Sequence, residues 1–272
     1  MSRPANLLSA LRDRIRHLEE PARHGVLPFG VAALDLSLPD GGLALGAVHE
    51  ISGAGGDEED GAAAAGFAAG ILARLGAGPV LWCLRRPDLY GLGLLAHGLD
   101  PARLVLVTAA RDEEILWALE EGLRTGRASG LAAVVGDVGR LPMVAGRRLQ
   151  LAAERSGVTA LILRRWRHAA EAAAERDRPS AALTRWRIAA LPSTDMAGKP
   201  GIAHGSSPWA EGLRPRWRIA LVRSRDGAPG IWDMEVADAT GHVSLSAELA
   251  DRSAAPAGPA GLDAEPRYRR AG

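Results

Sequence analysis

Short apolar runs alternate with amphipathic stretches through the middle of this chain. Ala47–Ser52, Pro79–Leu84, Leu104–Thr108, Leu131–Val135 and Thr159–Leu163 have the compact, branched character of buried strands. Between them, Ala62–Leu75 reads as an alanine-rich helix, and Leu89–His97, Glu113–Arg124 and Val144–Ser156 read as further helices. In the third of these Ile115, Leu116 and Leu119 face inward, with Asp112 placed to cap the helix. Strands alternating with helices at this interval predict an α/β fold with a parallel sheet covered on both faces. The pattern then changes. Leu183–Leu191, Trp217–Arg223 and Ile231–Ala237 are strands, the last two joined by the turn Asp226-Gly227-Ala228-Pro229-Gly230. Such a hairpin extends the sheet antiparallel at one edge.

Outside this body the pattern differs. From Asn6 to Glu20, Leu7, Leu8, Leu11, Ile15 and Leu18 form a helical stripe that Pro21, Gly25 and Pro28 separate from the rest. The helix either packs back on its own domain or offers its stripe to a partner. From Arg252 onward the chain is rich in Ala, Pro and Gly and ends in Arg267-Tyr268-Arg269-Arg270, a composition expected of a disordered tail. The expected organisation is therefore an N-terminal helix and linker over 1–24, one domain over 25–249 and a tail over 250–272.

The net charge of +1 hides an asymmetry: −6 over residues 1–139, +10 over 140–226 and −3 over 227–272. This suggests a basic face for an acidic partner, or arginines decorating solvated faces. Cys83 is the only cysteine, which excludes an internal disulfide framework and fits a reducing cytoplasm. No apolar run reaches the length of a membrane span, so neither export nor membrane insertion is expected. The seven histidines show no ligand spacing, and a metal site is not expected.

The chemistry concentrates after the first predicted strand, in Gly53-Ala54-Gly55-Gly56-Asp57-Glu58-Glu59-Asp60-Gly61-Ala62-Ala63. Strand, glycine loop and helix is the layout of a phosphate-binding loop, G-x-x-x-x-G-K-[ST], whose lysine neutralises phosphates and whose hydroxyl holds magnesium. Read from Gly56, the loop puts Ala62 and Ala63 at the lysine and hydroxyl positions. Read from Gly53, it puts Glu58, Glu59 and Asp60 at the positions of glycine, lysine and hydroxyl. Neither register supplies a cation. Two unit charges about 4 Å apart at an effective dielectric near 20 repel by roughly 4 kcal/mol, so Asp57 to Asp60 would oppose a polyphosphate.

Leu27-Pro28-Phe29-Gly30-Val31-Ala32-Ala33-Leu34-Asp35, Pro39-Asp40-Gly41-Gly42-Leu43 and Gly46-Ala47-Val48-His49-Glu50-Ile51 together resemble the segment that introduces the phosphate loop of RecA-like proteins. Pro215 to Arg223 and the hairpin through Trp232 resemble the closing antiparallel strands of the same fold. Over roughly residues 25–245 the chain resembles the RecA family and, within it, the ImuA family of bacterial damage-induced mutagenesis. The resemblance implies a RecA-like core and a place in an error-prone translesion synthesis complex during the response to DNA damage. It implies as partners a Y-family-like polymerase homologue of ImuB type, an error-prone replicative-type DNA polymerase and RecA; single-stranded DNA is a candidate partner on the separate ground of the chain's arginine-rich strands. Because RecA-like proteins reach a neighbouring subunit through an N-terminal helix, Leu7, Leu8, Leu11, Ile15 and Leu18 are the expected partner-binding residues.

The departures from a RecA-like ATPase are concerted. Arg85 and Arg86 follow the second core strand where a water-activating carboxylate is expected, and Gly136 stands where the Walker B aspartate should close its strand. Asp137, one residue later, would point to the other side of a regular strand. The expectation is loss of ATPase activity and no cofactor. A cell-division inhibitor resembling SulA, or an ATPase with an unconventional loop, are the alternatives.

Arg-Trp-Arg occurs three times, at Arg165-Trp166-Arg167, Arg185-Trp186-Arg187 and Arg216-Trp217-Arg218. On a strand, both arginines of a triplet share one face and the tryptophan takes the other. Together with Arg164 these arginines could bind nucleic acid or an acidic partner, or they could be solvated and protect edge strands while the tryptophans fill the core.

Overall fold

The computed structural model describes residues 24–126, 130–166, 169–194, 214–236 and 238–245. In chain order the elements are β1 (Val26–Leu27), α1 (Ala32–Asp35), β2 (Leu43–Ala44), β3 (Val48–Gly53), α2 (Asp57–Ala73), β4 (Val80–Leu84), α3 (Gly91–Leu95) and β5 (Leu104–Thr108). There follow α4 (Asp112–Thr125), β6 (Ala133–Val138), α5 (Met143–Ser156), β7 (Thr159–Arg164), α6 (Ala169–Glu175), β8 (Thr184–Thr194), β9 (Arg214–Ser224), β10 (Gly230–Glu235) and β11 (Ser244–Leu245). The predicted N-terminal helix and the tail lie outside the described residues.

Among the described residues the main sheet has nine strands in the order β11-β10-β9-β8-β3-β7-β6-β4-β5. From β8 to β5 neighbouring strands run parallel. Strands β9, β10 and β11 extend this sheet antiparallel. This is the arrangement of a RecA-like core. Because the strands are covered on both faces, alternate residues feed two cores. One face, under α2, gathers Phe67, Trp82, Leu161 and Trp186. The other, under α4 and α5, gathers Ile115, Leu119, Val134, Leu149 and Ile162. Phe29, from the segment between β1 and α1, lies 5.9 Å from the ring of Phe67 and 5.5 Å from that of Trp186, which closes the first core. Gly136 faces the second: a Cβ there would come within 2.5 Å of Leu119.

Several boundaries differ from the sequence reading, each for a local reason. Helix α2 begins at Asp57, five residues ahead of the predicted Ala62, because acidic residues in a first turn complement the helix dipole. Strand β6 runs on to Val138, and α4 takes Arg111 rather than Asp112 at its cap position. There the Glu114 carboxylate accepts from the amides of Ala110 and Arg111, while Asp112 accepts from the amide of Arg140. The ribbon β1–β2 and the short edge strand β11 had no periodicity long enough to announce them. Among the described residues, no helix is long and apolar enough to cross a membrane.

Candidate nucleotide-type site

The loop between β3 and α2 is only Ala54–Gly56, with Gly56 at the helix cap position. This corrects the register that starts at Gly56, because Asp57 through Ala63 are helical and cannot form a cradle. The register from Gly53 is the one the backbone permits. Its acidic residues do not all turn toward a phosphate position, however. Asp60 is buried and accepts from the amide of Gly55 at 2.6 Å and from that of Ala190 at 2.8 Å, which pins the loop to β8. Glu58 and Glu59 belong to the same helical turn.

Asp57 faces inward, toward a guanidinium delivered from beyond β7. Arg165 donates to both oxygens of Asp57 at 2.8 and 2.9 Å, to both oxygens of Asp88 at 2.9 and 3.0 Å, and to Asp137 at 3.0 Å. A guanidinium has five N–H donors, and all five are used here. Arg86 adds a second cation on Asp57 at 3.0 Å. Gly61, one turn along α2, makes room for this, since a Cβ there would sit 2.6 Å from the Asp57 carboxylate. The cation missing from the loop is thus present in space, but three carboxylates already hold it.

The expectation for Asp137 is corrected. Strand β6 stays regular to Val138, with Val135 in the core under α2 and Val134 in the core under α4 and α5. Alternation therefore sends Asp137 to the α2 face and Gly136 to the other, the reverse of the sequence reading. Asp137 is buried and accepts from the Trp82 indole at 3.0 Å. Burial raises its pKa, while Arg165 and Trp82 pull the other way. The hydrogen bond from Arg165 holds the Asp88 carboxyl below its usual range. Burial acts against the Arg165 charge too, but its three carboxylate partners outweigh this and raise its pKa. Asp88 is a site residue that the sequence pattern does not mark; it follows Arg85-Arg86-Pro87, beyond the position where a RecA-like ATPase carries its carboxylate.

Beside this ion cluster lies a cavity of about 370 Å³ between α2 and α3. Gly61, Ala65, Gly66, Trp82, Leu94 and His97 line its apolar part, and Asp57, Asp137 and Arg165 close its polar end. Cys83, behind it, is buried with its thiol pushed up to about 12 by burial. Among the described residues no group of His, Cys, Asp and Glu is arranged to hold a metal ion.

The arginines do not make one ladder. Arg164 ends β7 on the opposite face from Arg165, buried, at 2.8 Å from Glu50, and it donates to the Gly139 carbonyl. Arg185 turns to the carbonyls of Arg176 and Arg178 and lies 3.6 Å from Glu50. Arg187 pairs with Asp177 at 3.3 Å, and Arg218 binds both oxygens of Asp233 at 2.7 and 2.8 Å. Arg216 faces Glu235 across the β9–β10 register, while Arg167 lies outside the described residues. Trp186 and Trp217 are buried in the core on the other face, as strand alternation predicts. Trp166 is buried as well, its ring flanked by the guanidiniums of Arg164 at 5.2 Å and Arg176 at 5.8 Å.

Fold and site together define a RecA-like protein in which the loop after β3 leads into an internal ion cluster. No family model matches the chain. It is 40% identical over 242 residues to Protein ImuA of Caulobacter vibrioides, in both strain NA1000 / CB15N and strain ATCC 19089 / CIP 103742 / CB 15. The match covers 85% of this chain and 93% of each relative. The chain belongs to the ImuA family.

Proposed function

We infer that this protein works in damage-induced mutagenesis, as its family implies, as a non-catalytic RecA-like adaptor that helps assemble an error-prone translesion synthesis complex. The observation that carries the non-catalytic part is the commitment of Arg165. Its five N–H groups are spent on Asp57, Asp88 and Asp137, and the loop beside it offers neither lysine nor hydroxyl. A triphosphate entering here would have to displace an arginine from three carboxylates and then face them itself. Recognition is then the remaining task, with the Y-family-like polymerase homologue, the replicative-type polymerase, RecA and single-stranded DNA as the proposed partners. Arginines of the 140–226 region and the N-terminal stripe are the proposed contacts.

Calorimetric titration with ATP and magnesium tests this directly. No measurable binding is expected, and micromolar affinity would overturn the reading. One observation favours a second reading, an ATPase with an unconventional loop: Asp137 lies on the face of the sheet where a Walker B carboxylate is needed. That reading requires Arg165 to leave its carboxylates for a phosphate, and the same titration decides between the two.

A further inference from the structure

The two edges of the main sheet are built differently. At one, β11 is only two residues long, and β10 beside it carries Asp233 and Glu235. At the other, β5 is the five-residue run Leu104-Val105-Leu106-Val107-Thr108, which holds neither charge nor proline. Among the described residues β5 pairs with β4 alone, so the outer side of its backbone has no strand against it. Natural sheets blunt such an edge with charge, proline or a short strand, because a bare one invites pairing. Strand β5 uses none of these devices.

Both faces of this edge are apolar. Leu106 is level with Trp82 and Val105 with Leu81, so Leu106 lies on the α3 face of the sheet and Val105 on the α4 face. They are 52% and 48% exposed. A Cβ on Gly91 would lie 3.5 Å from Pro101, just before β5, which marks the side of α3 turned toward that strand. Leu95, one turn on, shares this side, and Leu92 is its neighbour on the helix surface. Both are exposed, and residues 89–99 hold no Asp, Glu, Lys or Arg. On the other face, Glu120 meets Arg148 of α5, and Glu113 falls on that same side of α4. Helical spacing therefore turns Glu114, Ala118 and Glu121 toward β5. Glu114 pairs with Arg111 at 2.6 Å and Glu121 with Arg124 at 3.0 Å, so these carboxylates are matched within their own helix. Arg103 is turned inward to the carbonyls of Gly78 and Leu72.

We propose that β5 pairs antiparallel with β5 of a second copy of this chain, about a two-fold axis through Leu106. An axis normal to the sheet keeps each face on its own side. Leu106 then meets Leu106, Val105 meets Val107 and Leu104 meets Thr108, with no like charges opposed. Leu92 and Leu95 of the two copies close over the central pair. A half-exposed leucine or valine keeps on the order of 80 Å² in water. Four per copy, with the newly paired backbone and Thr108, bring the contact to about 1,000 Å² in total, the size a specific interface needs. Segments of the same chain suit the edge less well. Residues 195–213 and 246–272 are rich in Gly, Pro and Ala, and the leucines of 1–23 recur at helical rather than strand spacing. The contact is isologous, so it closes at two copies and leaves no β5 edge free.

The test is sedimentation velocity on the full chain over a range of concentrations. A monomer–dimer equilibrium that stops at the dimer is expected. Leu106→Lys sets like charges across the axis and is expected to raise the dimer dissociation constant by about tenfold or more. Because Leu106 is half exposed, the denaturation midpoint of the monomer is expected to stay unchanged. A second variant needs no loss of binding: Leu106→Cys is expected to link two copies when a mild chemical oxidant takes the two thiols to a disulfide. Leu36→Cys serves as the control, since Leu36 is 86% exposed and its neighbour Ser37 lies against the β9–β10 turn, toward the other edge. A chain that stays monomeric throughout, a dimer indifferent to Leu106→Lys, linkage as fast through Leu36→Cys as through Leu106→Cys, or an open-ended series of oligomers would each overturn the proposal. Nucleotide binding in the calorimetric test would remove the non-catalytic reading and leave this one standing, and a monomer would do the reverse.

Discussion

His49 shows how much a single residue's surroundings decide. It is fully buried in β3, its Nδ1 at 2.7 Å from the Thr184 hydroxyl and its Nε2 at 2.8 Å from the Ala44 carbonyl. Burial lowers its pKa from 6.5 to about 4. Its neutral form is therefore the folded form. Above pH 6.5 the contribution to stability is complete; as pH falls from 6.5 toward 4 the unfolded chain takes up a proton that the folded one refuses, at a cost of about 3 kcal/mol. Urea denaturation across this window is expected to show that loss, and His49→Gln is expected to flatten it. Arg165 gives a second prediction. Arg165→Met strands Asp137 as a buried, unpaired carboxylate and is expected to destabilise by about 3 kcal/mol or more. Acidification restores part of the loss relative to the unsubstituted chain, because burial already raises the Asp137 pKa and protonation removes the stranded charge. Adding Asp137→Asn to the same variant is expected to recover stability at neutral pH as well.

At the scale of elements, the short loop before α2 depends on one carboxylate. Asp60 serves the amides of Gly55 and Ala190, two groups 135 positions apart in the chain, and so ties the start of α2 to the first antiparallel pair. Asp60→Ala leaves both donors without this partner. The expected cost is about 1–3 kcal/mol, together with faster exchange of those two amides. Asp60→Asn keeps one acceptor and is expected to fall between the two. The element pattern itself was largely legible: the parallel strands follow from short continuous apolar runs, the flanking helices from alanine-rich or amphipathic stretches, and the closing hairpin from its turn residues. The start of α2 was not. Four consecutive acids read as loop, yet charge at a helix N-terminus is a tertiary and dipolar matter that hydrophobic spacing does not record.

At the scale of the molecule, the two faces of the sheet have different characters. One holds the cavity beside the ion cluster, the other the paired helices α4 and α5. On the proposed function, the chain should lose partners through surface changes and tolerate changes in the pocket. Leu11→Asp with Ile15→Asp is expected to abolish capture of the Y-family-like polymerase homologue in pull-downs while leaving the denaturation midpoint unchanged. Undiminished capture would remove the N-terminal stripe from the proposed contacts.

The sequence by itself determined the α/β architecture and the absence of lysine and hydroxyl from the loop, because periodicity and residue identity are local properties that survive without coordinates. Only the tertiary structure decided which way Asp137 points, that Asp88 completes the site, and that Arg164 and Arg165 lie on opposite faces. Those facts depend on where a strand ends and what stands across from it. A guanidinium read as free in the sequence becomes, once the chain folds, the centre of a closed electrostatic cluster, since pairing across 108 positions between Asp57 and Arg165 leaves no trace in local pattern.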